Sequence, residues 1–446
     1  MGVRWMSSFA KGAFLLALAA FFGECLEFFL NMILAKELGE HGMGMYMQIL
    51  PVIFFVVVIS SLELPVSISK FVAEQKKEYH YSMLRHALRF VYKLTGMILI
   101  IVLVILPFLP IFSEYHPLVR YMMFLLVPIV SFSSIARGYF MGVQQMDKIA
   151  ISNFLRKAVQ LLVLYFLFHG MQFNESAALF TALAVLIGSE AVVFFYLFTQ
   201  YLIQYRMMKH DRYHEMNEKE VRKSLMAVSV PTTALRIFNA ITNAIQPFLI
   251  KGALVLSGIG TVMATEQYGL LAGVAMSIGF FPAFLSHSLM VALLPNVSES
   301  YAKQDGERLR SLLQQSMWIT CLYGIPAVYL MYWFAEPLTH LFFKSPEASL
   351  YLQLLWPYFL FHFFIHPLQA YLIGLGLVKD AFYHSVWSHV VSFLMMYVLG
   401  SMGEFQMTGI ILGMNMGIIL LFLLHYVTIC RKIGLSLILI SSNRFT

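Results

Sequence analysis

The sequence predicts an all-α integral membrane protein of about twelve transmembrane helices arranged as two six-helix bundles. Three observations predict it. Of 446 residues, 60% are hydrophobic and only 12% charged, against roughly 25% charged in an average soluble domain. Apolar stretches of about 20 residues, the length a helix needs to cross hydrocarbon, recur along the whole chain. One long polar segment, YRMMKHDRYHEMNEKEVRK at 205–223, interrupts them near the middle.

The first apolar run, Phe9 to Ala35, is too long for a cleavable leader and lacks a small-residue cleavage site. Another span follows at once, so it is expected to stay as a helix. Further spans are expected near 45–71, 88–112, 118–143, 152–169 and 175–203. In the second half they fall near 225–256, 266–297, 311–335, 349–375, 381–401 and 405–430. The fifth span carries Arg156 and Lys157 in its first turns. The expected organisation is a first lobe at 1–203, a cytoplasmic linker at 204–224, a second lobe at 225–430 and a cytoplasmic tail at 431–446.

Lysine and arginine orient these spans. With both termini cytoplasmic, the inner side collects Arg4, Lys11, Lys76, Lys77, Arg85, Arg89, Lys148, Arg156, Lys157 and the 205–223 loop. Arg308, Arg310, Lys379, Arg431 and Arg444 complete that side, whereas the outer loops hold mainly acids such as Glu40, Glu114, Glu175 and Glu404. The net charge of +7 is therefore topogenic, and no basic arm requires nucleic acid as a partner. Cys25, Cys321 and Cys430 are widely spaced within apolar stretches and read as packing residues, with no metal and no cofactor expected.

Weak echoes relate the halves. LLVP at 125–128 returns as LLWP at 354–357, YFMG at 139–142 as YLIG at 371–374, and Leu64-Pro65 as Leu294-Pro295. Six helices separate equivalent positions, so both halves run in the same orientation, a transporter layout. Pro65 and Pro295 read either as packing or as matched hinges.

Polar residues inside lipid are costly and mark function. Glu24, Glu27 and Asn31 form one stripe of the first span; Arg236, Asn239 and Asn243 repeat it in the seventh at a constant shift of 212, and Gln246 extends it. A central cavity between the lobes is the expected place for both stripes, with Glu63 adding a third acid; the alternative is a buried ion pair that locks the lobes. Arg137, Glu190, His287, His362 and His366 are further cavity or gate candidates. His362 and His366 have metal-like spacing but no third ligand near them in sequence.

FAKGAFLLALAAFF (9–22), LAKELGEHGMGMYMQILPV (34–52), LPVSISKFVAEQ (64–75), RGYFMGVQQMDKIAISN (137–153) and LLPNVSES (293–300) resemble the stage V sporulation protein B-like polysaccharide biosynthesis proteins. That family lies in the multidrug/oligosaccharidyl-lipid/polysaccharide (MOP) flippase superfamily, and this chain looks like a short sporulation-type member. The resemblance implies the fold of the MATE transporters and lipid II flippases. It also implies alternating-access movement of a lipid-linked saccharide, a cell-wall or spore-envelope precursor, across the bacterial cytoplasmic membrane, forespore membranes included. No enzymatic step is implied, and the functional form is expected to be a monomer. Related sequences often have arginine, suited to a diphosphate, where Asn31 stands, and usually glycine where Glu63 stands. The carboxylates favour a second reading, an H⁺- or Na⁺-coupled exporter of small amphipathic molecules; a membrane-embedded glycan ligase is a third.

Overall fold

The computed structural model describes the backbone of residues 2–210 and 213–434, and the side chains of these except 2–20, 210, 224, 227–232, 234 and 235. The expected tail beyond 434 and the side chains of Arg4, Lys11 and Arg444 lie outside the described residues. Among the described residues the secondary structure is helical without strands.

α1 runs Gly2–Ser61 but is two rods, divided where Gly39 takes φ 67° and ψ −177°. That backbone region suits a residue without Cβ. A second break follows at Leu62 and Glu63, both with positive φ, before α2 (Leu64–Glu74). Pro65 sits in the first turn of α2, where a missing N–H costs nothing. Then come α3 (Lys77–Ile105), α4 (Pro117–Gly142), α5 (Met146–Gly170), α6 (Glu175–His210) and α7 (Glu218–Leu256). The helices thus continue well into the segment read as a linker at 204–224.

In the second half three rods are bent. α8 (Thr261–Gly269) passes through a π-helical segment, Leu270–Ala275, into α9 (Met276–Phe280), and α10 (Ala283–Ala302) departs from it by 56°. α11 (Gly306–Trp333) and α12 (Ala335–Phe343) meet at 79°, and α13 (Ser349–Leu354) and α14 (Trp356–Gly374) at 58°. α15 (Val378–Gly400) and α16 (Gln406–Ile433) complete the chain. Counting α1 and its continuation α2 as two rods divided at Gly39, and each bent set as one, gives twelve rods among the described residues. The bend near Pro295 falls instead at Phe281–Pro282, and Pro295 lies inside the continuous α10.

By contact the chain groups into two units that do not follow its halves: Glu37–Ile245 forms a central unit, and residues up to Lys36 group with those from Gln246 onward as a terminal unit. In the central unit, Leu64, Ile68, Met83, Ala136, Phe140 and Tyr201 belong to one buried cluster. α2 lies close on α4 because Gly138 and Gly142 present no side chain. A Cβ on them would stand 2.8 Å from that of Ile68 and 2.6 Å from that of Val72. The connection before α7 is strapped to α3: Glu215 Oε2 accepts from Arg85 Nη2 (2.6 Å) and Ser82 Oγ (3.1 Å).

In the terminal unit the tightest seam joins α15 and α16. Gly409, Gly413 and Gly417 recur every fourth residue on α16, and a Cβ at Gly413 would meet Met396 N at 2.5 Å. Ser388 Oγ donates to Gly417 O (2.7 Å) and Ser392 Oγ to Gly413 O (3.1 Å). Lipid supplies no hydrophobic drive to join helices, so close backbone approach and interhelical hydrogen bonds do that work.

Candidate functional site: an arginine cluster in the central unit

Three arginines and two glutamates from separate helices gather in the central unit. Glu63 is placed by the break between α1 and α2. Its φ of 49° and ψ of 25° are left-handed, and its carbonyl accepts the N–H groups of Val66 and Ser67 that open α2. The turn directs its carboxylate inward, leaving the side chain only 7% exposed, and Arg236 of α7 donates from Nη1 to Oε1. The guanidinium itself is 59% exposed. One end of this ion pair is therefore buried while the other is largely exposed.

Arg137, near the end of α4, donates from Nη2 to Asn153 Oδ1 of α5 (3.3 Å) and lies within Coulombic range of Glu190, Arg156 and Arg236. Arg156 of α5 pairs with Glu190 of α6 at 3.1 Å, both side chains 23% exposed. Three guanidinium groups against two carboxylates leave the cluster one positive charge in excess (3 − 2 = +1). Guanidinium forks match phosphate oxygens bidentately and are weakly hydrated, which suits them to partly dry anion sites.

The other expected residues divide between the two units. Glu24 and Glu27 are half-buried on α1 in the terminal unit, and Asn31 Nδ2 donates to Ser277 Oγ (3.2 Å), just past the π segment. Next to them Phe28 packs among Phe281, Phe342 and Phe343 with ring centroids 5.1–5.5 Å away. Asn239 and Asn243 are exposed on α7 and Gln246 is half-buried. Within the central unit, Arg236 has Glu63 as its partner. His287, His362 and His366 do converge, with centroids 5.9 and 5.2 Å apart, and His362 also stacks on Tyr358. Yet no group of three His, Cys, Asp or Glu among the described residues is placed to hold a metal.

Sequence reading treated Arg156 as topogenic and did not find Asn153. The missed signal was a basic residue in one span and an acid, Glu190, in the next, joined by a short connection.

Among the described residues, twelve helical rods with charged groups paired inside them make a multi-pass membrane protein. Aligned on solved structures, it covers 94% of itself and 98% of an inward-facing multidrug resistance MATE family transporter, with a TM-score of 0.75 at 14% identity. Against the lipid II flippase MurJ the TM-score is 0.67 at 13% identity, over 93% of this chain and 87% of that one. Residues 9–260 match the polysaccharide biosynthesis protein family and residues 271–398 match MatE. The chain belongs to the polysaccharide biosynthesis protein family of the MOP superfamily. It is 56% identical over 439 residues to sporulation protein YkvU of Bacillus subtilis (strain 168), covering 98% of this chain and 99% of that protein. With stage V sporulation protein B of the same organism it shares 30% identity, over 96% of this chain and 85% of that one.

Proposed function

We propose that the protein moves a lipid-linked saccharide across the cytoplasmic membrane, holding the anionic lipid headgroup at the Arg137–Arg156–Arg236 cluster. The observation that carries this reading is the excess positive charge of that cluster inside a membrane-spanning bundle. A buried cation is costly unless an anion meets it, and the exposed guanidinium of Arg236 is the group free to turn toward one. The match to the polysaccharide biosynthesis protein family and the shared fold with a lipid II flippase support this reading.

Glu63 then acts as a placeholder. In the empty state it neutralises Arg236; an arriving diphosphate competes for the same fork, and Glu63 reclaims it as the cargo leaves. Arg156 stays paired with Glu190, and Arg137 tethered to Asn153, so these two supply fixed positive potential rather than moving parts. The reaction breaks no bond and needs no cofactor. Glu24 and Glu27, two half-buried acids one turn apart in a span, favour a second reading, coupling to H⁺ or Na⁺ as in a cation-driven exporter. Both termini on the cytoplasmic side and action as a monomer belong to the same proposal.

The test is reconstitution in liposomes with a fluorescent polyprenyl-diphosphate saccharide, following loss of the outer-leaflet signal to a membrane-impermeant quencher. The parent should equilibrate the label between leaflets, and Arg236→Ala should not. Equal rates with and without protein, together with cation-driven efflux of an amphipathic dye, would replace the first reading by the second.

A further inference from the structure

The central unit contains a cavity far from the arginine cluster. It measures about 370 Å³, inside the usual range of small-molecule sites. Its floor is apolar and buried, formed by Met45, Tyr115, Val119 and Leu179, with exposures of 8%, 7%, 1% and 5%. The rim is polar: His41, Glu114, His116, Asn174 and Glu175, with Phe180 beside them. These residues come from α1 just after Gly39, the start of α4 and the start of α6. The cavity therefore opens on the face of the membrane opposite the 213–217 connection. Val119 and Arg137 lie 18 residues apart on α4, which at 1.5 Å per residue separates the cavity from the arginines by about 27 Å.

Each wall residue narrows the ligand. Tyr115 donates its hydroxyl to Met45 O (2.8 Å), which fixes the floor. His116 Nδ1 accepts from Leu118 N (3.3 Å), so in the neutral ring the proton sits on Nε2, a donor. The same ring lies 4.7 Å from that of Phe180, making a small aromatic wall. Asn174 Oδ1 accepts from Ala177 N (2.9 Å), which leaves its amide N–H groups as donors. Glu114 and Glu175 offer acceptor oxygens, and no lysine or arginine lines the cavity. His41 Nδ1 is buried with no hydrogen-bond partner, so that nitrogen does not hold the ring in place. An anion would meet two carboxylates and no lysine or arginine in the cavity's lining. A metal would need three close ligands, and no such group exists among the described residues. An apolar floor, an aromatic wall and a rim of carboxylate, amide and imidazole match the two sides of a sugar ring, C–H on one and hydroxyl on the other.

We propose that this cavity is a binding site for the non-anionic sugar end of the cargo, entered from the face opposite the arginine cluster. Resting on the saccharide reading above, it gives that reading a specificity: one or two neutral or amino-sugar rings, and no uronic acid. Because it lies a membrane's width from the arginines, it holds the sugar after transfer, when the headgroup has left the cluster.

The experiment is a titration of the intact protein in nanodiscs of neutral lipid, read by saturation-transfer NMR, with N,N′-diacetylchitobiose as probe and glucuronate as the anionic control. Saturable chitobiose binding is expected, with little binding of glucuronate. The double variant Glu114→Gln with Glu175→Gln should weaken chitobiose at least tenfold. His116→Ala, at an exposed position, should weaken it several-fold while the parent's thermal unfolding profile is retained. Absence of saturable binding, glucuronate bound equally well, or binding unmoved by both variants would overturn the site. The liposome assay separates the two proposals. Lipid transfer without chitobiose binding sinks the cavity alone, whereas chitobiose binding lost in the variants, with no lipid transfer, sinks the flippase reading alone.

Discussion

Replacing Glu63 separates backbone strain from charge at one position. A non-glycine residue in left-handed backbone costs roughly 1–2 kcal/mol, and Glu63 holds φ 49°. Its ion pair works in the opposite direction. Two unit charges 4 Å apart are worth about 4 kcal/mol at an effective dielectric of 20. Arg236 is 59% exposed, which discounts that toward roughly 1–2 kcal/mol. Glu63→Ala loses the pair and keeps the strain, so it should destabilise by about 1–2 kcal/mol. Glu63→Gly loses the pair and relieves the strain, so it should lie within about 1 kcal/mol of the parent. Both variants release Arg236 from its competitor. At 1.4 kcal/mol per factor of ten, each should bind inorganic diphosphate up to about tenfold more tightly than the parent. Denaturant unfolding in mixed micelles and calorimetric titration with diphosphate measure the two effects. Equal stability of the Ala and Gly variants would refute the strain argument. Unchanged diphosphate affinity in both would refute Glu63 as the competitor for Arg236.

Further outcomes follow from the same structure. Arg156→Gln or Glu190→Gln alone strands a charge that is 23% exposed, and each should destabilise by about 2–3 kcal/mol. The double variant should recover at least half of that loss, as a thermal-shift double-mutant cycle would reveal. Gly413→Leu drives a side chain into the Met396 backbone, where even a Cβ stands at 2.5 Å, and should abolish monodisperse protein on size exclusion. Gly96→Ala, on a glycine with open space around it, should not. Single cysteines at Lys209 and Lys344 should label from opposite faces of right-side-out vesicles; labelling from one face would break the twelve-helix topology.

Much of the fold was legible because apolar length alone specifies a span, and ten of the twelve expected spans need only small boundary shifts. Breaks inside spans were not legible from hydropathy. Each break lies just ahead of a proline in the first turn of the next helix, Pro65 after Leu62–Glu63 and Pro337 after the 79° bend at Phe334. A proline cannot bond back to the preceding turn and crowds its carbonyl, a local signal that mean hydropathy does not register. At the candidate site, intramembrane charge singled out Glu63, Arg137, Glu190 and Arg236, which the structure brings together. Pairing was not legible, because helical spacing fixes which residues share a face and not which helix that face meets. Arg236 therefore has Glu63 as its partner, a residue held at positive φ by the break before α2. The glycine repeat at 409, 413 and 417 was overlooked because its signal is absence of side chain, which a search for chemistry passes by.

That repeat has a practical use. A seam made by backbone against backbone has no side-chain slack to absorb sliding, so α15 and α16 behave as one solid piece. Tyr397 and Leu423 point outward, 48% and 47% exposed, toward opposite ends of this pair. Their separation along the helix axis is on the order of 20 Å at 1.5 Å per residue. Spin labels at these two positions form an internal ruler whose reading stays constant when cargo, ions or lipids change. Any distance elsewhere in the molecule that varies against it reports a rearrangement of the protein and not of the probes.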